Sequence, residues 1–223
     1  GSQVFEEDVY ERTSDIMIKF FADVKEKYNF ETREYNIGGG FGVRYVDDDP
    51  TLDLDKKLKE LSEYIKGICA KYNLDVPAFR MEPGRSIVAD TGMTLYTVGT
   101  IKKIPGYKNY VSIDGGMTDN PRYALYGARY TCYTANKMNE KCDFKADLVG
   151  RCCESGDIIA KDILFPESIS RYDIVAVATT GAYNFSMASN YNRLPRPPIV
   201  MLKDDKDFVV VKGETLEDLV KND

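Results

Sequence analysis

The six residues Met81-Glu82-Pro83-Gly84-Arg85-Ser86 divide this chain into two kinds of sequence. Upstream of them helical and strand-like signals alternate. Downstream almost every segment reads as β. A proline and a glycine stand between an acid and a base, directly after the apolar run from Val76 to Met81. That order predicts a strand ending in a tight turn, with opposite charges aimed at one spot. Turns at strand ends carry sites in α/β proteins. The same residues also suit a surface turn closed by an ordinary ion pair.

Before the turn, Val9, Thr13, Ile16, Met17, Phe20, Phe21, Val24 and Tyr28 recur at three-to-four-residue spacing, which predicts a helix packed on that face. Residues 31–37 suit a short strand ending in Gly38-Gly39-Gly40-Phe41-Gly42. Glycines after a strand let backbone N–H groups approach a phosphate. The spacing is not a dinucleotide fingerprint, and a flexible loop accounts for it equally. A second helix follows, with Leu54, Leu58, Leu61, Ile65, Ile68, Cys69 and Tyr72 on one face and Thr51 or Asp53 as its cap. Residues 1–85 thus read as a piece of a parallel α/β fold.

From Ser86 to the end, residues 86–223, short strand signals are separated by turns such as Pro105-Gly106, Asp114-Gly115-Gly116 and Ser155-Gly156-Asp157. They include Ile87-Val88-Ala89, Thr94–Val98, Tyr110–Ile113, Ala146–Val149, Asp157–Ala160, Asp173–Val177, Ile199–Leu202 and Phe208–Val211. This pattern predicts a β-barrel or sandwich domain. A short helix is expected over Glu214–Val220.

The chain has no histidine, which removes the commonest general base and metal ligand. Chemistry here must come from carboxylates, thiols, tyrosines, arginines or a cofactor. Net charge is -6 with no long basic run, so no nucleic-acid partner is expected. No apolar run approaches the roughly 18 residues that span a bilayer, and no secretory leader opens the chain. The five cysteines are odd in number, with two adjacent, which suits reduced thiols in a cytoplasmic protein.

Further clusters carry chemistry. Arg122 and Tyr126 lie four apart after a double-glycine turn, an arrangement that can clamp a carboxylate and add a directed hydrogen bond. Cys153 beside Glu154 sets a thiol next to a carboxylate at a turn, as a proton donor with a charged neighbour needs. A buried cysteine beside a surface acid is the plainer reading. Gly181-Ala182-Tyr183 closes an apolar run. Cys132 and Cys142 read as loop thiols, not as a zinc site, so no metal is expected.

In this order and spacing, Gly38–Gly42, Glu82-Pro83-Gly84-Arg85, the segment from Asp114 through Ala128, Cys153–Asp157 and Gly181-Ala182-Tyr183 resemble the diaminopimelate decarboxylases. These are fold type III pyridoxal-phosphate enzymes with an alanine-racemase-like architecture. The resemblance covers essentially the whole chain. It implies the C-terminal part of a (β/α)8 barrel over residues 1–85, followed by a β domain over 86–223. It also implies that the lysine bonded to the cofactor lies in a half of the family's sequence that this chain does not carry, so that the chain alone would be inactive.

The resemblance further implies roles. Ser2, Gly38, Gly39, Gly40, Gly84, Arg85 and Tyr183 would hold the phosphate of pyridoxal 5'-phosphate, and Glu82 would face its ring nitrogen. Arg85, Arg122, Tyr126, Glu154 and Tyr183 would bind the distal amino acid end of the substrate. Cys153 would supply the proton that replaces carbon dioxide, in a homodimer whose subunits share active sites. Tyr123 departs from the proline frequent in the family, which bears on loop shape. The implied reaction is decarboxylation of meso-2,6-diaminopimelate to L-lysine. Arginine, ornithine or carboxynorspermidine decarboxylation is the nearest enzymatic alternative, and a non-catalytic dimerising homologue is the alternative of another class.

Overall fold

Two long helices and two short parallel strands make up the first part of the chain. A computed structural model describes residues 1–6 and 8–223 and divides them into two units, Gly1–Arg44 with Asp48–Val88, and Tyr45–Asp47 with Ala89–Asp223. In the first unit, β1 (Glu34–Asn36) and β2 (Ala78–Arg80) pair in parallel, with Tyr35 opposite Phe79. Helix α2 (Leu54–Lys71) makes the crossover that a parallel pair requires. Asp53, rather than Thr51, caps it by accepting the Lys56 N–H at 3.0 Å. Leu61, Ile65, Ile68 and Cys69 of α2 close around Tyr35 and Phe41, as their spacing predicts.

Helix α1 (Val9–Tyr28) buries only part of the expected face, Phe21 with Met17 packed against the core. Tyr10, Ser14, Ile18 and Phe21 are buried, while Ile16 and Phe20 are 70% and 56% exposed. A serine inside the stripe hides its periodicity in the sequence. Ser14 can be buried because its hydroxyl donates to Tyr10 O at 2.8 Å and lies 3.2 Å from Tyr35 Oη. Rings complete this core: Tyr10 stacks on Phe41 at 5.0 Å, and Phe21 meets Tyr35 edge-on at 5.6 Å.

Ile87-Val88-Ala89, expected as a strand, is not one. Arg85–Val88 winds into the short helix α3, with the Ile87 N–H donating to Gly84 O at 3.1 Å. β-branched residues here meet no strand among the described residues, so local turn bonding wins.

The second unit is built on β3 (Met93–Ile104), β4 (Lys108–Ile113), β5 (Cys132–Thr134), β6 (Cys142–Val149), β7 (Ile158–Pro166) and β8 (Ile174–Ala178). They form one sheet in the order β5-β8-β3-β4-β6-β7, antiparallel except for β4 with β6. Its edge strands β5 and β7 approach one another, so the sheet curls nearly to closure. Val98, Val111, Leu148, Ile159, Phe165, Val175 and Val177 fill it. The short helix α4 (Arg122–Tyr126) interrupts the strands. A separate hairpin, β9 (Ile199–Lys203) with β10 (Lys206–Val211), precedes helix α5 (Leu216–Val220), which Thr215 and Asp218 close with a capping box.

The two supposed loop thiols lie in strands instead. Cys132 opens β5 opposite Val177, and Cys142 opens β6. Burial pushes the Cys132 thiol up to about 12, which keeps it protonated and unreactive near neutrality. A three-residue strand is too short to announce itself by alternation.

Asp173 anchors the entry to β8. Its carboxylate accepts Asn136 Nδ2 at 2.8 Å, and Lys137 Nζ and the Ser170 N–H each at 2.7 Å. Burial pushes its pKa up, but these partners together hold it below the usual range. A lowered folded pKa means that this stabilisation is present above the unfolded value of about 3.9 and is lost as pH falls through the folded value. Asp173→Asn should therefore cost about 1–3 kcal/mol at pH 7. The gap from the parent should narrow near pH 3, as read from urea midpoints.

Candidate functional site

In the first unit, both ends of the glycine loop are tied down. Ile37 N–H donates to Arg80 O at 3.1 Å and Glu82 N–H to Gly38 O at 2.8 Å, extending the β1–β2 pairing into the loop. On the other side, Val4 N–H donates to Gly40 O at 2.9 Å, and Gly42 N–H to Val4 O at 3.1 Å. The sequence therefore brings Ser2, Gly38, Gly39, Gly40, Glu82, Gly84 and Arg85 into one neighbourhood. Arg85 Nη2 donates to Ser2 Oγ at 3.0 Å, and Asn36 Nδ2 donates to a Glu82 carboxylate oxygen at 2.7 Å. Asn36 also accepts the Gly38 N–H at 2.8 Å, so it joins the glycine loop to the acid. Its part was missed because an asparagine at a strand end carries no periodic signal.

Gly39 and Gly40 are required by close approach. A Cβ on Gly39 would be driven into the backbone carbonyl of Glu82, and one on Gly40 into that of Gly1. Gly40 also has φ +87, which side chains avoid. Neither Gly39 nor Gly40 spends its N–H on another described group. Gly39→Ala should destabilise this unit by about 1–3 kcal/mol in urea denaturation. A Cβ on Gly84 meets nothing within 4 Å, so Gly84→Ala should stay within about 0.5 kcal/mol of the parent.

The second unit gathers another set around Arg122. Arg122 is 7% exposed, and its Cζ lies 5.6 Å from the Tyr45 ring, 5.9 Å from Tyr126 and 5.5 Å from Tyr183. No carboxylate pairs with it among the described residues, and Nε has no hydrogen-bond partner. Three ring faces offset part of the desolvation of this cation, but a buried charge without a counter-ion remains costly. Beside it, Tyr130 Oη and both amide atoms of Asn184 are buried without a well-formed hydrogen bond. Burial pushes the Tyr130 phenol up, while the nearby Arg122 and Asn184 pull the other way. Unanswered polar groups are rare in native interiors, and a bound anion with polar substituents would satisfy this set.

Tyr183 is held at φ 67. A bulky aromatic in the left-handed region costs about 1–3 kcal/mol and persists where its surroundings dictate it. Ala182 and Asn184 on either side are both buried, which fixes the backbone there. Sequence reasoning found Arg122, Tyr126 and Tyr183 but missed Tyr45, Tyr130 and Asn184, whose loop positions follow no spacing rule.

Cys153 and Glu154 are not brought to that cluster. Neither shares a hydrogen bond, ion pair or ring contact with Arg122 or Tyr126 among the described residues. Cys153 is exposed, and its N–H donates to Asn192 Oδ1 at 2.6 Å. The Gly156 N–H and then the Ser155 hydroxyl hold the Glu154 carboxyl below its usual range, keeping it ionised. The adjacent Cys152 is pushed up to about 11, first by burial and then by the charge of Asp157. Of the two thiols, the exposed Cys153 is the one placed to exchange a proton with a ligand.

Comparison with known proteins places the chain in a family. A family model described as the C-terminal sheet domain of pyridoxal-dependent decarboxylase matches residues 9–181. The diaminopimelate decarboxylase of Bacillus subtilis (strain 168) is 44% identical over 223 residues, covering 100% of this chain and 51% of the relative. That of Staphylococcus aureus (strain COL) is 43% identical, covering 100% and 52%. The chain spans about half the length of the curated relatives it matches. Among solved structures, diaminopimelate decarboxylase from M. jannaschii in complex with L-lysine superposes with a TM-score of 0.88 at 32% identity, covering 100% of this chain and 50% of that one. The lysine/ornithine decarboxylase of Vibrio vulnificus complexed with putrescine gives 0.75 at 25% identity, covering 88% and 51%. The chain belongs to the pyridoxal-dependent decarboxylases and carries the family's C-terminal sheet domain.

Proposed function

We propose that the protein of which this chain forms part decarboxylates meso-2,6-diaminopimelate to L-lysine with pyridoxal 5'-phosphate. The observation that carries the reading is Arg122, a buried guanidinium without a carboxylate partner among the described residues, surrounded by three tyrosines. A diamine-forming substrate such as ornithine presents only an ammonium at its far end, which a buried cation repels. Diaminopimelate presents a second amino acid head, whose carboxylate answers Arg122.

The first unit fits the cofactor. Its parallel strands and crossover helix suit the last units of a (β/α)8 barrel, so we assign residues 1–85 to that barrel and 86–223 to the β domain. Arg85, Ser2 and the unspent N–H groups of Gly39 and Gly40 are donors suited to a phosphate, with Gly38 and Gly84 leaving room around them. Glu82, already oriented by Asn36, is an acceptor for a protonated ring nitrogen. When bound, the cofactor's protonated ring accepts the electron pair released as carbon dioxide leaves.

The remaining roles belong to side chains of this chain. Arg122 takes the distal carboxylate, Tyr126 and Tyr183 add directed hydrogen bonds, and ionised Glu154 takes the distal ammonium. The Cys153 thiol gives its proton to the carbon that has lost carbon dioxide, and the thiolate regains one from solvent. Because Cys153 and Glu154 lie away from Arg122 in contacts, a homodimer in which this turn serves the neighbouring subunit's site accounts for the arrangement best.

The test is carbon dioxide release by the full-length, cofactor-loaded protein. It should be rapid with meso-diaminopimelate and at least about 100-fold slower with arginine, ornithine or carboxynorspermidine. Preference for one of the diamine precursors would transfer the assignment to that substrate. Release from none of them would favour a non-catalytic homologue.

A further inference from the structure

We propose that Asp157 is a positioning residue that holds the Cys153–Glu154 turn in register with the loop leading into α4. The role rests on the decarboxylase reading above, since it concerns the placement of that reading's proton donor. Asp157 is 4% exposed, and no lysine or arginine pairs with it among the described residues. Its charge is met by backbone instead. One carboxylate oxygen accepts the Met117 N–H at 2.6 Å, and the other accepts the Cys152 N–H at 2.7 Å. Charge-assisted bonds of this kind are about twice as strong as neutral ones.

These two amides belong to different loops. Met117 lies in the loop that continues through Asn120 into α4 and Arg122, and Cys152 immediately precedes Cys153. Backbone bonds reinforce the join: Arg151 N–H donates to Gly115 O at 3.2 Å, and Gly150 N–H to Asp157 O at 2.9 Å. The loops are also shaped to admit the carboxylate, since a Cβ on Gly116 would lie 2.6 Å from its oxygens and one on Gly150 closer still.

The two loops depend on this clamp unequally. Arg122 is held independently by burial among Tyr45, Tyr126 and Tyr183. Cys153 is exposed, and apart from the Asp157 bond at the preceding residue its hold is the bond to Asn192. Loosening the clamp therefore disturbs Cys153 and its neighbour Glu154 more than Arg122, so kcat should fall by a larger factor than KM rises.

The full-length, cofactor-loaded protein provides the test. Residue-resolved hydrogen exchange should show the Met117 and Cys152 amides slowed at least about tenfold from the random-chain rate. Asp157→Asn cannot accept at both amides. It should speed exchange at one or both at least about tenfold, with β6 and β7 unchanged. Its kcat for meso-diaminopimelate should fall at least about tenfold, with KM rising by a smaller factor as Glu154 shifts with the turn. If that variant does not fold, Gly150→Ala, which displaces the carboxylate from outside, should give the same pattern. Random-chain exchange at both amides in the unaltered protein overturns the proposal, as does a folded Asp157→Asn with unaltered kcat. An unaltered protein that releases no carbon dioxide would instead overturn the decarboxylase reading, and the positioning role with it.

Discussion

Arg122→Met in the full-length protein is expected to lower kcat/KM for meso-diaminopimelate by about 30-fold to several thousand-fold, the equivalent of roughly 2–5 kcal/mol, while Tm stays level or rises. The two halves of this result come from one fact. The guanidinium is buried with no carboxylate partner among the described residues, so without ligand it contributes desolvation cost with little return. Methionine fills much the same volume among Tyr45, Tyr126 and Tyr183 and keeps the packing. With substrate bound, the cation becomes the partner of a desolvated carboxylate, and its loss appears in full. An arginine kept for structure would behave in the opposite way, with Tm falling and activity following stability. Steady-state kinetics and thermal unfolding on one preparation separate the two.

The second large effect is expected at Glu82. Glu82→Gln should lower kcat by about 10²- to 10³-fold, the scale of removing one preorganised electrostatic partner. A carboxylate beside the ring nitrogen favours its protonated form, and a neutral amide does not. Glutamine can still accept the bond from Asn36 Nδ2, so the turn should survive and Tm should hold. The readout besides turnover is the pH titration of the bound cofactor's absorbance. Its ring-nitrogen transition should move to lower pH in the variant, because the cation there has lost its counter-charge. An unmoved transition would place Glu82 away from the ring nitrogen.

How much was legible in the sequence depended on the kind of signal. Helix α2 announced its packed face because leucines and isoleucines fill that stripe without interruption. Helix α1 did not, because Ser14 sits in the buried stripe and Ile16 and Phe20 lie outside it. The turn at Glu82–Arg85 was readable from its proline and glycine, but the following Ile-Val pair signalled a strand where none among the described residues pairs with it. At the candidate site the charged residues stood out because they recur beside glycine turns in one order and spacing, although each alone also suits a surface turn. Tyr45, Tyr130 and Asn184 were silent, because packing around Arg122 draws them from separate stretches of chain. Asp157 was visible only as the end of a turn and the start of a strand. Its work is done with backbone amides, which a sequence does not distinguish.

The most direct single measurement compares two substrates that share the reacting centre and differ in one charge. Conversion of meso-diaminopimelate to L-lysine retains the L centre, so the reacting centre is the D one, and D-lysine presents that centre without the distal carboxylate. With the full-length, cofactor-loaded protein, kcat/KM for meso-diaminopimelate should exceed that for D-lysine by at least about 10²-fold, and Arg122→Met should bring the ratio close to one. Equal kcat/KM for the two substrates in the unaltered protein would contradict the assignment of Arg122 to the distal carboxylate.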